Sequence, residues 1–344
     1  MDQNAEIIAT AIKGSLKIID QDREKEIVSR RFGLTGQKET LEQIGDMLSI
    51  TRERVRQLEK AILVRLRISS EDNKIPELAP AEKLIIRNLI ELGRTARVSE
   101  LADKIYGRKT TPTERASLSF ISDISANLAI IEENDKYHSA ISIAEYGDSK
   151  TIRSKVDEII AIIKASKKPL TIDELDAKLD YEHPNYIRAI ASISKQLATL
   201  NGLWGLAKWP AVNPKNIRDK IFVILENQKS PMHFSEIAES ISTSNFKRKN
   251  VTVQAIHNEL IKDPRFVLIG RGIYALDTWG YKKGTVADII TRILESSQKP
   301  LTKEEVVRQV LKARKVKETT ILLNLQNKKL FKKADKDHYT VADK

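Results

Sequence analysis

Apolar residues recur at steps of three and four along most of the chain, a spacing that predicts a mainly α-helical protein. The clearest run is TLEQIGDMLSITRERVRQLEKAILVRLR, residues 40 to 67. Two sets of apolar positions in it each fall on one face of a helix: Leu41, Ile44 and Leu48 in the first, and Val55, Leu58, Ile62 and Leu66 in the second. The short interval between the two sets predicts a tight turn, and the whole run predicts a helix-turn-helix.

Both predicted helices have a capping residue at their start. Thr40 is followed three positions later by Gln43, the spacing of a capping box, and Thr51 precedes the second helix. Packing the apolar face inward turns several polar side chains of the second helix toward solvent along one ridge: Arg52, Glu53, Arg56, Gln57 and Lys60. In helix-turn-helix proteins the first turns of this helix enter the major groove, where Arg and Gln bind purine edges. The alternative is a solvated helix face in an ordinary three-helix bundle.

Two consecutive stretches, REKEIVSRRFGL and TLEQIGDMLSITRERVRQLEKA, carry a resemblance to a known family. Together they resemble region 4 of the sigma-70 family of bacterial sigma factors, the module that binds the minus-35 promoter element. The resemblance implies base contacts by three residues: Arg52, Glu53 and Gln57. It implies phosphate contacts by two others: Arg54 and Arg56. We expect two further residues of the same ridge to contact phosphate: Thr51 and Lys60.

The same resemblance implies a protein partner. The first half of the region would bind the flap of the RNA polymerase beta subunit, and four residues are expected to dock there: Ile27, Arg31, Phe32 and Leu34. The sequence departs from the family at 60–65, KAILVR, where two positions that are usually basic are apolar. Only about 20 residues precede the match, and they lack the aromatic-rich region that melts promoters. We therefore do not expect this chain to open promoters alone.

Beyond residue 67 the chain shows a series of similar segments. SSEDNKIPELAP, at 69–80, contains two prolines and predicts a linker. Three later stretches align at a proline and share an amphipathic helix with an acidic first turn: KKPLTIDELDAKL at 167–179, KSPMHFSEIAESI at 229–241 and QKPLTKEEVVRQV at 298–310. Each follows one apolar-periodic helix and precedes another, and short alternating strands come next. Residues 80–146 follow the same plan more weakly.

The predicted fold is mainly α: a sigma region 4-like helix-turn-helix followed by an array of winged-helix modules, each of three helices and a short β-hairpin. A Gly-x-aromatic-x-Leu-x-x-Trp pattern occurs at 202–209 and again at 272–279, which supports duplication. The predicted domains are residues 1–70, 80–147, 150–212, 214–282 and 284–344.

One of these segments carries a second resemblance, in SPMHFSEIAESI and VTVQAIHNELIKDPRFVLIGRGIYALDTWGY. Residues 215–281 resemble the HARE-HTH domain, a winged helix found in the delta subunit of bacterial RNA polymerase, in chromatin-associated proteins and with some restriction enzymes. Basic residues of its loop and predicted wing tip favour phosphate contact: Lys247, Arg248, Lys249 and Arg271. The alternative is that these charges only keep the surface soluble.

Charge and composition narrow the expected partners. The formal net charge is +12, the pI is about 9.5, and residues 281–344 hold 16 Lys and Arg against 8 Asp and Glu. This excess favours a polyanion, and we expect double-stranded DNA. Cysteine is absent and the five histidines are scattered, so we expect no metal site. We also expect no cofactor and no small-molecule substrate. With no membrane-length apolar run or signal peptide, we expect no membrane partner and a cytoplasmic, nucleoid-associated bacterial protein.

The sequence is compatible with three functions. The first is a sigma factor-like transcription regulator that binds promoter DNA and docks on RNA polymerase. The second is a polymerase-associated scaffold without sequence-specific DNA contact, because winged helices also serve as docking surfaces. The third is a DNA-processing or restriction-associated protein. The chain has no phosphate-binding Gly-rich loop and no nuclease-type Pro-Asp motif, and we predict no catalytic residues.

Overall fold

The computed structural model describes residues 3–179, 181, 184–248, 250–297, 299–335 and 337–342. It is mainly helical with small antiparallel sheets, which confirms the predicted fold class at this level. The chain forms two compact units, Met1–Lys208 and Trp209–Lys344. The five predicted domains divide the chain more finely and stay predictions. Among the described residues, none of the helices combines the length and the apolar character that crossing a bilayer requires.

The first unit begins with four helices: α1 Gln3–Lys17, α2 Asp22–Phe32, α3 Leu41–Leu48 and α4 Arg52–Glu71. The predicted caps are confirmed. Thr40 and Gln43 form a capping box at the start of α3, and the Thr51 hydroxyl accepts a hydrogen bond from the first turn of α4. Between the two helices Ser49 adopts a left-handed conformation, which reverses the chain. The helix-turn-helix is thus formed by α3 and α4.

A small core holds the helix-turn-helix together. Ile27 of α2, Ile44 of α3 and Val55 of α4 are fully buried against one another. Partly buried apolar residues surround them, namely Leu41, Leu48, Ile50 and Leu58. The apolar spacing predicts the inward positions of α3 and α4 in this cluster, whereas Ile27 of α2 and Ile50 of the turn are not predicted by it.

The stretch predicted as a linker is instead packed. Helix α4 continues to Glu71, and only six residues separate it from α5, Leu78–Leu92. Ile75 and Leu78 are buried in the same core as Ile62 and Leu66 of α4. The prolines at 76 and 80 are compatible with this path, since one lies between helices and the other in the first turn of α5. The helix-turn-helix therefore shares a core with the segment that follows it.

The next segments repeat an order of helices and strands. After α5 come β1 Thr95–Arg97, α6 Val98–Tyr106, α7 Pro112–Ile124, β2 Leu128–Ile131 and β3 Ala140–Ile143. The following segment contains α8 Ser149–Ser166, α9 Ile172–Leu179, α10 Pro184–Ile193, β4 Leu197–Leu200 and β5 Leu203–Leu206. In the first of these the strands form an antiparallel sheet in the order β1-β3-β2, and in the second β4 pairs with β5.

The second unit contains two more segments of this kind. One has α11 Ile217–Gln228, β6 Met232–His233, α12 Phe234–Thr243, α13 Val253–Lys262, β7 Phe266–Gly270 and β8 Ile273–Leu276. The other has α14 Val286–Ser296, β9 Leu301–Thr302, α15 Lys303–Ala313, α16 Glu318–Leu325, β10 Phe331–Lys333 and β11 His338–Val341. Their sheets have the orders β6-β8-β7 and β9-β11-β10, both antiparallel.

The hairpins that the sequence predicts are present, and each gains a strand or bridge that the sequence did not indicate. The residue after the shared proline supplies it: Met232 pairs with Tyr274, and Leu301 pairs with Tyr339. At the equivalent place in the α8–β5 segment, Leu170 forms an isolated bridge with Trp204. These pairings extend over only one or two residues, which is too short for an alternating pattern to reveal.

Candidate nucleic-acid interface

The first turns of α4 present a polar ridge to solvent. Arg52, Arg56 and Gln57 are exposed, while Val55 on the opposite side is fully buried. Thr51 Oγ1 accepts a hydrogen bond of 3.1 Å from the backbone N–H of Arg54, which fixes where the helix begins. The structure therefore places the ridge where a recognition helix presents its base-contacting side chains.

Glu53 interacts with neighbouring polar side chains on this ridge. Its carboxylate accepts two hydrogen bonds from the Arg56 guanidinium, at 2.9 Å from Nε and 2.6 Å from Nη2. The hydrogen bond from Arg56 is the main cause that lowers the pKa of Glu53, and Gln57 and Arg52 act in the same direction. The carboxylate thus stays ionised at neutral pH. Glu53 and Arg56 form a pre-arranged pair, although the resemblance assigns one to a base and the other to a phosphate.

The remaining basic residues of the ridge are differently placed. Arg52, Arg54 and Lys60 are exposed, and no ion pair among the described residues involves them. Of the three, Arg52 contributes its charge to lowering the pKa of Glu53. Such side chains can neutralise phosphates without first breaking an internal contact, and they release counterions when they do so.

Ion pairs fix the helices that support this ridge. Arg31 on α2 binds Glu59 on α4 at 3.0 Å, and Arg65 on α4 binds Glu24 on α2 at 2.5 Å. Arg23 also donates to the backbone oxygen of Leu48, at 2.7 Å, at the end of α3. These contacts join α2 to both helices of the helix-turn-helix. They hold the angle of α4, which a base-contacting helix requires.

The turn between α3 and α4 depends on a glycine. A Cβ atom at Gly45 would lie 2.7 Å from the backbone oxygen of Ile50, closer than real side chains approach. Any larger residue would therefore push α4 away from α3. The close approach at Gly45 is part of what sets the geometry of the interface.

This arrangement defines a DNA-binding class of module, a helix-turn-helix with an exposed basic ridge on its second helix. Residues 21–67 match the family model described as Sigma-70, region 4. The match contains the whole of α2, the whole of α3 and the first four fifths of α4. It supports a transcription-related, DNA-binding function for this module.

Two curated relatives show the same local similarity. RNA polymerase sigma factor sigB of Arabidopsis thaliana is 35% identical over 69 residues, which is 19% of this chain and 12% of that protein. RNA polymerase sigma factor SigA4 of Synechococcus elongatus is 42% identical over 57 residues, 16% of this chain and 18% of that protein. The chain thus spans less than a fifth of the length of either relative, and the similarity concerns one module.

The residues expected to dock on polymerase are less available than the sequence suggests. Ile27 has no exposed surface and belongs to the core of the helix-turn-helix, so its predicted docking role is wrong in this conformation. Phe32 packs edge-on against Phe120 of α7, with ring centroids 5.1 Å apart. Arg31 is held by Glu59, and Leu34 packs against the core shared with α5. Phe32 is thus covered by the following segment, whereas Ile27 and Arg31 are held by the helix-turn-helix itself.

The basic loop of the α11–β8 segment is only partly described. Lys247 and Arg248 are exposed, as is Arg271 at the turn between β7 and β8, whereas Lys249 lies outside the described residues. In the sequence these residues belong to the unit Trp209–Lys344, whereas the ridge of α4 belongs to the unit Met1–Lys208. Their phosphate contacts stay a prediction.

One residue near this loop was not predicted. Lys220 of α11 is only 3% exposed, and its Nζ donates a 2.7 Å hydrogen bond to the backbone oxygen of Arg248. Burial lowers the pKa of Lys220, with a further contribution from the charge of Arg248. In the sequence Lys220 resembles any solvent-facing lysine of an amphipathic helix. Its contact with the loop backbone is visible only in three dimensions.

We expect Lys220→Met to loosen this loop. The substitution removes the charged donor of the hydrogen bond to the Arg248 backbone oxygen, a loss of about 1.5–3 kcal/mol. Amide hydrogen exchange at Lys247 and Arg248 should become at least about fivefold faster, because 1 kcal/mol corresponds to roughly that factor. Lys215→Met, at an exposed position of the same segment, is the matched control. Equal exchange rates in both variants would show that Lys220 does not anchor the loop.

Proposed function

We propose that this protein is a DNA-binding transcription regulator whose residues 21–67 recognise a promoter element of the minus-35 type. The observation that carries the proposal is the exposed ridge of α4 on a module that matches sigma-70 region 4. Arg52, Glu53 and Gln57 contact base edges, and Thr51, Arg54, Arg56 and Lys60 contact phosphate. The protein acts by binding and catalyses no reaction.

We also propose that the four segments from α5 to β11 are winged-helix modules. The order helix, strand, helix, helix, strand, strand in three of them supports this, as does the bridge at Leu170 that replaces the first strand in the other. The HARE-HTH resemblance of residues 215–281 belongs to the same proposal. Several weak modules on one chain raise the effective concentration of each at a long DNA site.

Association with RNA polymerase is part of the proposal, because the two similar proteins are RNA polymerase sigma factors. The beta flap is the expected partner. Because Ile27 is buried and Phe32 packs internally, docking would use only the accessible parts of Arg31 and Leu34, or a different surface. A protein with this function would act in the bacterial cytoplasm, at the nucleoid.

The proposal is tested by selecting duplexes from a randomised library with the full-length protein. We expect enrichment of a short common motif, since Arg and Gln side chains discriminate base pairs in the major groove. Recovery of duplexes without any shared motif, after several rounds, would overturn the recognition of a specific element.

A scaffold function is the second candidate, and one observation favours it for the middle of the chain. The loop between β2 and β3 pairs with the end of α10: Tyr137 forms a bridge with Ser194, and the Lys195 N–H donates to Lys136 O at 2.8 Å. Arg97 also donates to the backbone oxygen of Ser192. The wing of the α5–β3 segment is therefore engaged within the protein, and under this second candidate function that segment supports the DNA-binding module without contacting DNA.

A further inference from the structure

A basic groove lies between α14 and α15 in the C-terminal unit. Its volume is about 690 Å³, and four cationic side chains line it: Lys282, Arg292, Arg308 and Lys312. None of the described residues that line the groove is acidic. Four positive charges around one cavity repel each other, so the groove favours binding of an anion.

The helices fix the positions of these cations. Arg308 and Lys312 lie four residues apart on α15, and therefore on one face of that helix, about 6 Å apart along its axis. Arg292 projects from α14, whose opposite face is buried with Ile290 and Leu294. All four side chains are exposed, and no ion pair within the described part of the chain involves them.

Two carboxylates on these helices cap the helix starts. Asp288 accepts hydrogen bonds from the backbone N–H and the hydroxyl of Thr285, at 2.7 and 2.8 Å, and so caps α14. Glu305 caps α15 in the same way through Thr302, at 2.9 and 3.0 Å. Neither carboxylate forms an ion pair with Arg292 or Arg308 in the described residues. The caps thus keep Asp288 and Glu305 out of the lining of the groove, although the charges of Arg292 and Arg308 still contribute to lowering the pKa of these two carboxylates.

We propose that this groove binds the phosphate backbone of duplex DNA, as a second DNA contact in addition to that of the helix-turn-helix. The proposal rests on the DNA-binding function proposed above and adds a site for it. Duplex DNA is favoured because the whole stretch 281–344 carries an excess of eight positive charges, which suits an extended polyanion. Lysine and arginine at phosphates position a protein on DNA without selecting a sequence.

The test uses the full chain with Lys282, Arg292, Arg308 and Lys312 all changed to Gln. Binding is measured over a salt series with a duplex carrying the selected motif and with a scrambled duplex. We expect affinity to fall by a similar factor on both, on the order of 10- to 10³-fold at 0.1 M salt. The slope of log affinity against log salt should become shallower by up to about 3.6, about 0.9 for each lost contact.

A matched control separates the groove from net charge. Lys13, Lys17, Lys150 and Lys164 are exposed lysines of the other unit, and changing all four to Gln alters the net charge equally. We expect this control to change affinity far less. An equal loss in both variants, or wild-type affinity in the groove variant, would overturn the groove as a site. Arg308→Gln with Lys312→Gln, on the exposed face of one helix, should give about half the change in slope if the fourfold variant folds poorly.

The two proposals fail in different ways. If the wild-type protein binds motif and scrambled duplexes equally, sequence recognition by α4 is lost, while a reduced salt slope in the groove variant still supports the groove. If the wild-type protein prefers the motif and the groove variant binds both duplexes with wild-type affinity, only the groove is refuted.

Discussion

Replacing Arg52 and Gln57 by alanine should remove most of the preference for one DNA sequence while general DNA binding persists. A bidentate contact to a base edge contributes about 1–3 kcal/mol of discrimination, so two such contacts account for about 2–6 kcal/mol. The preference for a selected duplex over a scrambled one should fall by at least about thirtyfold, since each 1.4 kcal/mol is a factor of ten. The measurement is competitive binding of the two duplexes at one fixed salt concentration.

The matched variant for this prediction replaces Arg54 and Lys60 by alanine, on the same helix. If these residues contact phosphate, affinity falls equally on both duplexes and the salt slope becomes shallower by about 1.8. A loss of preference in the second variant and not in the first would reverse the assignment of base and phosphate contacts.

The second large effect is expected at Phe120. Its ring is fully buried and meets Phe32 edge-on, so it joins α7 to the end of α2 across the core shared by α4 and α5. Phe120→Ala should lower the free energy of unfolding by about 3–5 kcal/mol, because it removes a large side chain and leaves a cavity. Chemical denaturation of the full chain measures this change.

The same variant tests whether the helix-turn-helix folds with the segment behind it. We expect the signals of α2 to α7 to be lost together, at one lower denaturant concentration. Ile90→Ala is the control, since the Ile90 side chain is 60% exposed and its truncation should cost less than about 0.5 kcal/mol. A helix-turn-helix that keeps its wild-type midpoint in Phe120→Ala would show that the two parts are independent.

The helix-turn-helix could be predicted in detail because its determinants are local. The capping box of Thr40 and Gln43, the cap at Thr51 and the buried positions Ile44 and Val55 all follow from spacing within a few residues. The exposure of Arg52, Glu53, Arg56 and Gln57 follows from the same helical period. What these side chains contact in a complex follows from similarity and stays a prediction.

What could not be predicted depends on contacts between distant segments. The prolines at 76 and 80 suggested a linker, yet Ile75 and Leu78 are buried, because tertiary packing continues across the break in helical period. Ile27 was assigned to a docking surface from resemblance alone, although its position opposite Ile44 and Val55 makes it a core residue. Lys220 and the strands at Met232 and Leu301 likewise depend on partners many residues away.

The central claim is that the ridge of α4 lies against base pairs, and site-specific photocrosslinking tests it most directly. A photoreactive residue at Gln57 should crosslink to bases of the selected motif, whereas one at Val64, which is 50% exposed and about two turns further along α4, should not. Efficient crosslinking from Val64 with none from Gln57 would contradict the account.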